Sequence, residues 1–203
     1  MNTNTPIPFE VVKSKIEALN IPDLSNATIR EIVKVVDQIE EATGEKFIRM
    51  EMGVPGLQPE KIGTEAEIEA LKAGVAKDYP SIEGIPQLKY ETSRFIKSFM
   101  NIDVKPEGCI ATTGSMQGGY ATFQALSYMD KKKDTALFID PGFPIQKQQF
   151  KVIGTKFTSF DVYNFRGNKL REKLESYLSQ GNINSIIFSN PNNPSWICLN
   201  NME

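Results

Sequence analysis

The fold is decided by four apolar segments between residues 109 and 189: CIATT (109–113), TALFID (135–140), TKFTSFDV (155–162) and SIIFS (185–189). Amphipathic patterns between them predict helices over residues 115–129, 143–153 and 168–179. Apolar, β-branched strands that alternate with helices indicate βαβ units and a parallel sheet that is buried on both faces. The sequence therefore predicts an α/β fold, a three-layer sandwich with a mostly parallel sheet.

The first hundred residues are mainly helical in pattern, with helices predicted over residues 10–19, 28–43, 64–77 and 86–100. Asn26 or Thr28 is expected to cap the second helix, which Gly44 ends. The third is expected to begin at Thr64, with Glu67 completing a capping box. The alternating segment FIRMEM (47–52) predicts a short strand. These patterns predict an N-terminal arm and helical segment over residues 1–50 and a larger domain over residues 51–203.

Composition excludes several classes of function. The net charge is −2, and Lys131–Lys133 form the only basic run, which is typical of a solvated helix end and not of a nucleic-acid surface. The chain has no histidine, so histidine metal sites and serine–histidine or cysteine–histidine nucleophiles are excluded. Cys109 and Cys198 are interpreted as buried apolar residues. No apolar run approaches the roughly 20 residues of a membrane span, and no signal peptide is recognised, which predicts a cytoplasmic protein.

Candidate binding residues follow the predicted strands, because ligands of parallel sheets bind beyond the carboxyl ends of the strands. The turn GSMQGG (114–119) places Gly114, Ser115 and Met116 at a helix N-terminus, where backbone N–H groups can bind a phosphate. The turn PGFP (141–144) offers the ring of Phe143 for stacking. The loop NPNNPS (190–195) offers asparagine amides, and EMGVPG (51–56) offers a backbone wall at Gly53. Together they describe a site for a flat, phosphorylated aromatic molecule with ring oxygens.

Each feature alone also has a purely structural interpretation. The glycine–serine turn can be an ordinary helix start, Phe143 a core residue, and the asparagine–proline loop a rigid turn. A nucleotide-binding Rossmann-like module is the competing ligand hypothesis. It is disfavoured because GSMQGG lacks the second glycine of a dinucleotide fingerprint and no Walker A spacing is present.

Five motifs, in order, resemble the N-terminal half of the class I/II aminotransferases, the fold type I family that uses pyridoxal 5′-phosphate (PLP). They are MGVPGLQP (52–59), YPSIEGIPQLKYETSRFI (79–96), TTGSMQGGYATFQAL (112–126), DPGFP (140–144) and NPNNPS (190–195). The resemblance runs from about residue 28 to residue 203. It implies that residues 51–203 are the N-terminal part of the large PLP-binding domain and that residues 1–50 belong to the small domain.

The resemblance also implies roles for individual residues. Gly114, Ser115 and Met116 would hold the PLP phosphate, and Phe143 would stack on the pyridine ring. Asn193 would donate to the ring hydroxyl oxygen, aimed by a cis Pro194. The further residues implied are Tyr79, which would reach the phosphate of the neighbouring subunit's cofactor in a homodimer with shared sites, and Gly53, which would lie near the substrate carboxylate.

The resemblance is incomplete in two respects. Ser195 and Trp196 stand where the family usually has threonine and glycine, so the loop after Asn193 is expected to differ, since tryptophan lacks the conformational freedom of glycine. The family's Schiff-base lysine falls outside the matched segment, as do its other catalytic residues. We therefore expect a chain truncated before that lysine, with no catalytic residue of its own.

Three hypotheses about function follow. The first is a fragment of an aminotransferase that moves an amino group between an amino acid and a 2-oxo acid. The second keeps the fold and PLP but performs a lyase or decarboxylase reaction. The third is a non-catalytic remnant or a nucleotide binder.

Overall fold

The structure, a computed structural model, describes residues 5–203. The chain divides into two compact units, Met1–Asp78 and Tyr79–Glu203. The predicted N-terminal arm begins at residue 1, and its residues 1–4 lie outside the described residues.

In the part of the first unit that the structure describes there are three α-helices, α1 (Phe9–Ala18), α2 (Ile29–Thr43) and α3 (Lys61–Lys72). The predicted limits of α2 are confirmed. Thr28 and Glu31 form a reciprocal capping box at its start, and Gly44 ends it in the left-handed conformation with φ 75°. The small core of this unit consists of Ile21, Val35 and Ile39, with α1 packed against it.

Two predictions for the first unit are wrong. Residues 47–52 form no strand, because no segment within residues 5–203 pairs with their backbone. Instead, the Phe47 N–H donates to the Glu40 carboxylate at 2.9 Å, and Arg49 pairs with Asp37 at 2.8 Å. The capping box at Thr64 is also absent. Helix α3 begins three residues earlier, so Thr64 is an internal residue whose hydroxyl faces the Glu60 carbonyl.

The second unit has the predicted alternation of strands and helices. Its helices are α4 (Pro86–Met100), α5 (Gly114–Met129), α6 (Pro144–Ile153) and α7 (Asn168–Leu178). Its strands are β1 (Thr135–Asp140), β2 (Lys156–Asp161) and β3 (Ile183–Ile187). The strands form one parallel sheet in the order β2–β1–β3.

Alternate side chains of the central strand β1 enter two different cores, which makes the unit a three-layer sandwich. Leu137 and Ile139 pack on the face covered by α7, together with Leu170. Ala136 and Phe138 pack on the opposite face, in a cluster that α5 and α6 complete. Phe150 of α6 is fully buried there, with its ring 4.7 Å from that of Phe123 and 5.5 Å from that of Phe138. The predicted α/β class and helix–sheet–helix layering are confirmed.

The predicted strand over residues 109–113 is not part of this sheet. The segment has no ladder partner among the described residues, and it connects instead to the preceding loop, where the Ala111 N–H donates to the Glu83 carbonyl at 3.1 Å. Gly84 is required at this crossing, because a Cβ at its position would lie 2.8 Å from the Ala111 Cβ. An apolar pattern indicates which faces a strand would bury, but a strand forms only where another backbone pairs with it.

The two cysteines have different environments. Cys109 is buried, as predicted, whereas Cys198 is exposed, so its interpretation as a buried apolar residue was wrong. Both thiols are free. Among residues 5–203, no helix combines the length and the apolar character that crossing a membrane requires.

Candidate cofactor site

The candidate site of the second unit is built from three segments: the first turn of α5, the turn after β1 and the loop after β3. Helix α5 lies beside α6, and the Gln149 side chain of α6 donates to the Met116 carbonyl in the first turn of α5 at 2.9 Å. Helix α6 follows directly on the turn after β1. In a parallel α/β layer, the first turns of the helices and the carboxyl ends of the strands lie at the same edge of the sheet, which is where the ligands of such sheets bind.

The first turn of α5 has the features of an anion-binding turn. Gly114 has φ 73°, a conformation that favours glycine, and nothing lies within 4 Å of where its Cβ would be. The N–H groups of Ser115 and Met116 have no acceptor within the helix, because the first four N–H groups of any α-helix lack one. Ser115 is exposed, and its hydroxyl forms no hydrogen bond with any residue that the structure describes. This turn can therefore offer N–H groups, a hydroxyl and the positive end of a helix dipole to one ligand.

Phe143 stands directly before α6, at the N-cap position. Its side chain is 44% exposed, and it belongs to none of the buried clusters of the unit. The interpretation of Phe143 as a core residue is therefore disfavoured, and its ring is accessible for stacking.

The three asparagines of the loop after β3 form different hydrogen bonds, which the sequence did not distinguish. The Asn190 side chain accepts from the Leu199 N–H at 3.0 Å. The Asn192 side chain donates to the Pro141 carbonyl at 2.6 Å and accepts from the Ser195 hydroxyl at 2.6 Å. Asn193 is exposed and uses only its backbone, whose N–H donates to the Ser189 hydroxyl at 3.0 Å, so its amide is available to a ligand.

The backbone around Asn193 contains one predicted feature and one unexpected feature. The Asn193–Pro194 peptide bond is cis, as the resemblance implied. Trp196 has φ 52°, the left-handed conformation that favours glycine, and it is 83% exposed. From the sequence, we expected that tryptophan would not adopt a glycine-like conformation at this position. That expectation was wrong, because Trp196 does adopt it.

Two charge pairs near these loops have no recognisable signal in the sequence. Lys147 of α6 pairs with Asp140 at the end of β1, and its ammonium lies 5.5 Å from the centre of the Phe138 ring. Arg166 forms a bidentate pair with Glu203, whose side chain is only 1% exposed. Hydrogen bonds from Arg166 and from the backbone N–H groups of Gly167 and Asn200 lower the pKa of Glu203 to about 2.

Tyr79 and Gly53 do not belong to the three segments described above. Tyr79 is the first residue of the second unit, and its side chain is fully exposed. Gly53 belongs to the first unit, in a segment without helix or strand, and nothing lies within 4 Å of where its Cβ would be.

The second unit thus combines a parallel α/β layer with an open first helical turn at Gly114, an accessible ring at Phe143 and an available amide at Asn193. Residues 47–200 match the family "Aminotransferase class I and II". The chain belongs to this family.

Two curated relatives of the chain are each about twice its length. It is 30% identical over 168 residues to a (5-formylfuran-3-yl)methyl phosphate transaminase of Methanocaldococcus jannaschii, a match that covers 82% of this chain and 41% of the relative. It is 28% identical over 180 residues to the LL-diaminopimelate aminotransferase of Natranaerobius thermophilus, covering 87% and 44%. The chain thus spans less than half the length of these curated relatives.

A solved structure from Methanococcus jannaschii, described as similar in its active site to kynurenine aminotransferases, superposes with a TM-score of 0.69 at 26% identity. The superposition covers 91% of this chain and 46% of that protein. The neighbour therefore supports both the fold and the correspondence to an N-terminal half.

Proposed function

We propose that these residues form the cofactor-holding part of a PLP-dependent aminotransferase, which transfers an amino group between an amino acid and a 2-oxo acid. Family membership supports the class of reaction. The observation that carries the proposal is the first turn of α5, where Gly114 has φ 73° and leaves open space beside N–H groups that have no acceptor within the helix.

The residues present fit PLP in chemistry and in accessibility. Gly114, Ser115 and Met116 hold the phosphate through backbone N–H groups and the Ser115 hydroxyl. Phe143 stacks on the pyridine ring, and Asn193 donates from its side-chain amide to the ring hydroxyl oxygen. All three segments present these groups to solvent, with no competing hydrogen bond to the Ser115 or Asn193 side chain among residues 5–203.

When bound, PLP supplies an electron sink that acidifies the α-carbon of the amino acid. The residues of this chain contribute binding and orientation. The α5 turn would hold the phosphate, the Phe143 ring would stack on the pyridine ring, and the Asn193 amide would donate to the ring hydroxyl oxygen.

The proposal includes a homodimer and a role for the two residues outside the three segments of the candidate site. Tyr79 is fully exposed and would reach the phosphate of the cofactor bound by a second copy. Gly53 would lie near the substrate carboxylate. The two free thiols are compatible with a reducing cytoplasm.

We further propose that the 203 residues alone catalyse no transamination. The chain spans 41% and 44% of the two relatives described above, and the family resemblance assigns the covalently binding lysine to a segment beyond the matched part. The purified chain, assayed with PLP, 2-oxoglutarate and a panel of amino acids, is expected to give no turnover above that of free PLP. Turnover above this background would contradict the proposed inactivity.

The binding proposal is tested by titrating inorganic phosphate and PLP while amide shifts are followed by NMR. Residues 114–117 are expected to shift with both ligands, with phosphate affinity in the millimolar range, or about 4 kcal/mol. Ser115→Ala removes a hydrogen bond to a charged group, which is worth about 1.5–3 kcal/mol, so affinity should fall by about tenfold or more.

Ser98→Ala is the matched control, because Ser98 is also an exposed serine without a hydrogen bond to any described residue. It should leave both affinities unchanged. PLP should bind more tightly than phosphate, and Phe143→Ala and Asn193→Ala should each reduce that difference. Absence of shifts at residues 114–117 in the wild type would refute the proposed phosphate site, and equal affinities for PLP and phosphate would refute the ring contacts.

A further inference from the structure

The Asn192 side chain connects the turn after β1 to the loop after β3. Its Nδ2 donates to the Pro141 carbonyl at 2.6 Å, across 51 positions of sequence. Its Oδ1 accepts from the Ser195 hydroxyl at 2.6 Å and lies 3.3 Å from the Ser195 N–H, which also donates to it. The amide therefore joins the two segments and is itself held in orientation.

The backbone of Asn192 is fixed as firmly as its side chain. Its N–H donates to the Ile197 carbonyl at 2.9 Å, and its carbonyl accepts from the Trp196 N–H at 2.7 Å. Asn192 is half-buried. With the amide oxygen and nitrogen already engaged within the protein, Asn192 is poorly suited to bind a ligand directly and well suited to hold its neighbours in place.

The two segments that Asn192 joins carry the two proposed contacts to the pyridine ring, Phe143 and Asn193. Pro141 lies two residues before Phe143, and Asn192 immediately precedes Asn193. A flat ligand must meet the Phe143 ring with its face and the Asn193 amide with its edge at the same time. A site of this kind loses affinity when its supporting contacts leave it about 1 Å too loose.

We propose that Asn192 is a positioning residue, which sets the spacing between Phe143 and Asn193 and so determines affinity for the pyridine ring. This inference rests on the proposed function, because the ring is that of PLP. It predicts that loss of the Asn192–Pro141 hydrogen bond weakens the ring contacts and leaves the phosphate turn of α5 unaffected.

The test compares two asparagines at different ends of the sheet. The side-chain amide of each donates to a backbone carbonyl of another segment. Asn184, near the start of β3, donates to the Lys133 carbonyl at 3.2 Å and accepts from the Ser185 hydroxyl at 2.7 Å. Asn192→Ala and Asn184→Ala each remove one side-chain hydrogen bond to the carbonyl of another segment and one from a serine hydroxyl. Asn192→Ala also removes the acceptor of the Ser195 N–H and a 3.5 Å contact from Nδ2 to the Ser189 hydroxyl. Asn192→Asp is a second variant, which keeps the size and the Oδ1 acceptor but replaces the donor that faces Pro141.

The expected result is selective for the ring. Both Asn192 variants should bind PLP about tenfold more weakly than the wild type, which is the cost of about one hydrogen bond between the ring and a displaced Asn193, with unchanged affinity for inorganic phosphate. Without any ligand, they should also shift the amide signals of Gly142 and Phe143. Asn184→Ala should change neither PLP affinity nor these signals, although it too removes a hydrogen bond between segments.

Each contrary outcome has its own meaning. If the wild type binds PLP no better than phosphate, the proposed function fails, and the positioning role for the ring fails with it. If the wild type prefers PLP but Asn192→Asp and Asn192→Ala retain that preference, only the positioning role is refuted. Unchanged Gly142 and Phe143 signals in both variants would refute the connection between the loops itself.

Discussion

Replacing Trp196 by glycine should stabilise the protein, although it removes the largest side chain of the loop after β3 (residues 188–199, the asparagine loop). Trp196 has φ 52°, a conformation that costs an L-residue about 1–2 kcal/mol. Glycine adopts it without steric cost but gives up about 0.4–1 kcal/mol through the greater entropy of the unfolded chain. The ring is 83% exposed, so its removal sacrifices little buried apolar area. The expected net gain for Trp196→Gly is about 0.5–1 kcal/mol in the free energy of unfolding.

Urea denaturation followed by circular dichroism measures this difference; fluorescence is unsuitable because Trp196 is the only tryptophan. Trp196→Ala removes the ring but keeps the strain, so it should give no comparable gain. Asn101 provides a second control at φ 54°, because asparagine tolerates the left-handed conformation, and Asn101→Gly should be nearly neutral. A loss of stability in Trp196→Gly, or equal gains in Trp196→Gly and Trp196→Ala, would refute the role of backbone strain.

Three further predictions concern the cores, the charge pair and the helix caps. Phe150→Ala should cost about 3–5 kcal/mol in denaturant unfolding, because Phe150 is fully buried between two other rings; a loss below 1 kcal/mol would contradict the packing. Because folding lowers the pKa of Glu203 from about 4.5 to about 2, the ionised side chain stabilises the folded protein fully above pH 4.5, and this stabilisation is lost as the pH falls towards 2. Glu203→Gln should therefore flatten the pH dependence of the free energy of unfolding in that range. Thr28→Ala should cost about 1 kcal/mol through loss of the α2 cap, whereas Thr64→Ala should be nearly neutral, and equal losses would contradict the observed start of α3.

The sequence predicted the elements whose stabilising contacts are local or whose pattern is strong. The central strand β1 is a continuous apolar run buried on both faces, and α2 carries its own start and stop signals in Thr28 and Gly44. The predicted strands at 47–52 and 109–113 failed for one reason. Their patterns describe which side chains could be buried, whereas a strand also needs a partner backbone, and no local signal in the sequence specifies that partner.

The same distinction explains what could be predicted of the site. The first turn of α5 is local, so the glycine and the helix start identified it from the sequence. The asparagine loop is not local, because its three asparagines are chemically identical and differ only in which distant atoms they meet. Asn192 is occupied by a carbonyl 51 positions away, and Asn193 is left available next to it. A sequence motif can thus single out a loop as a candidate binding segment, but which asparagine side chain is engaged within the protein and which remains available follows only from the tertiary hydrogen bonds.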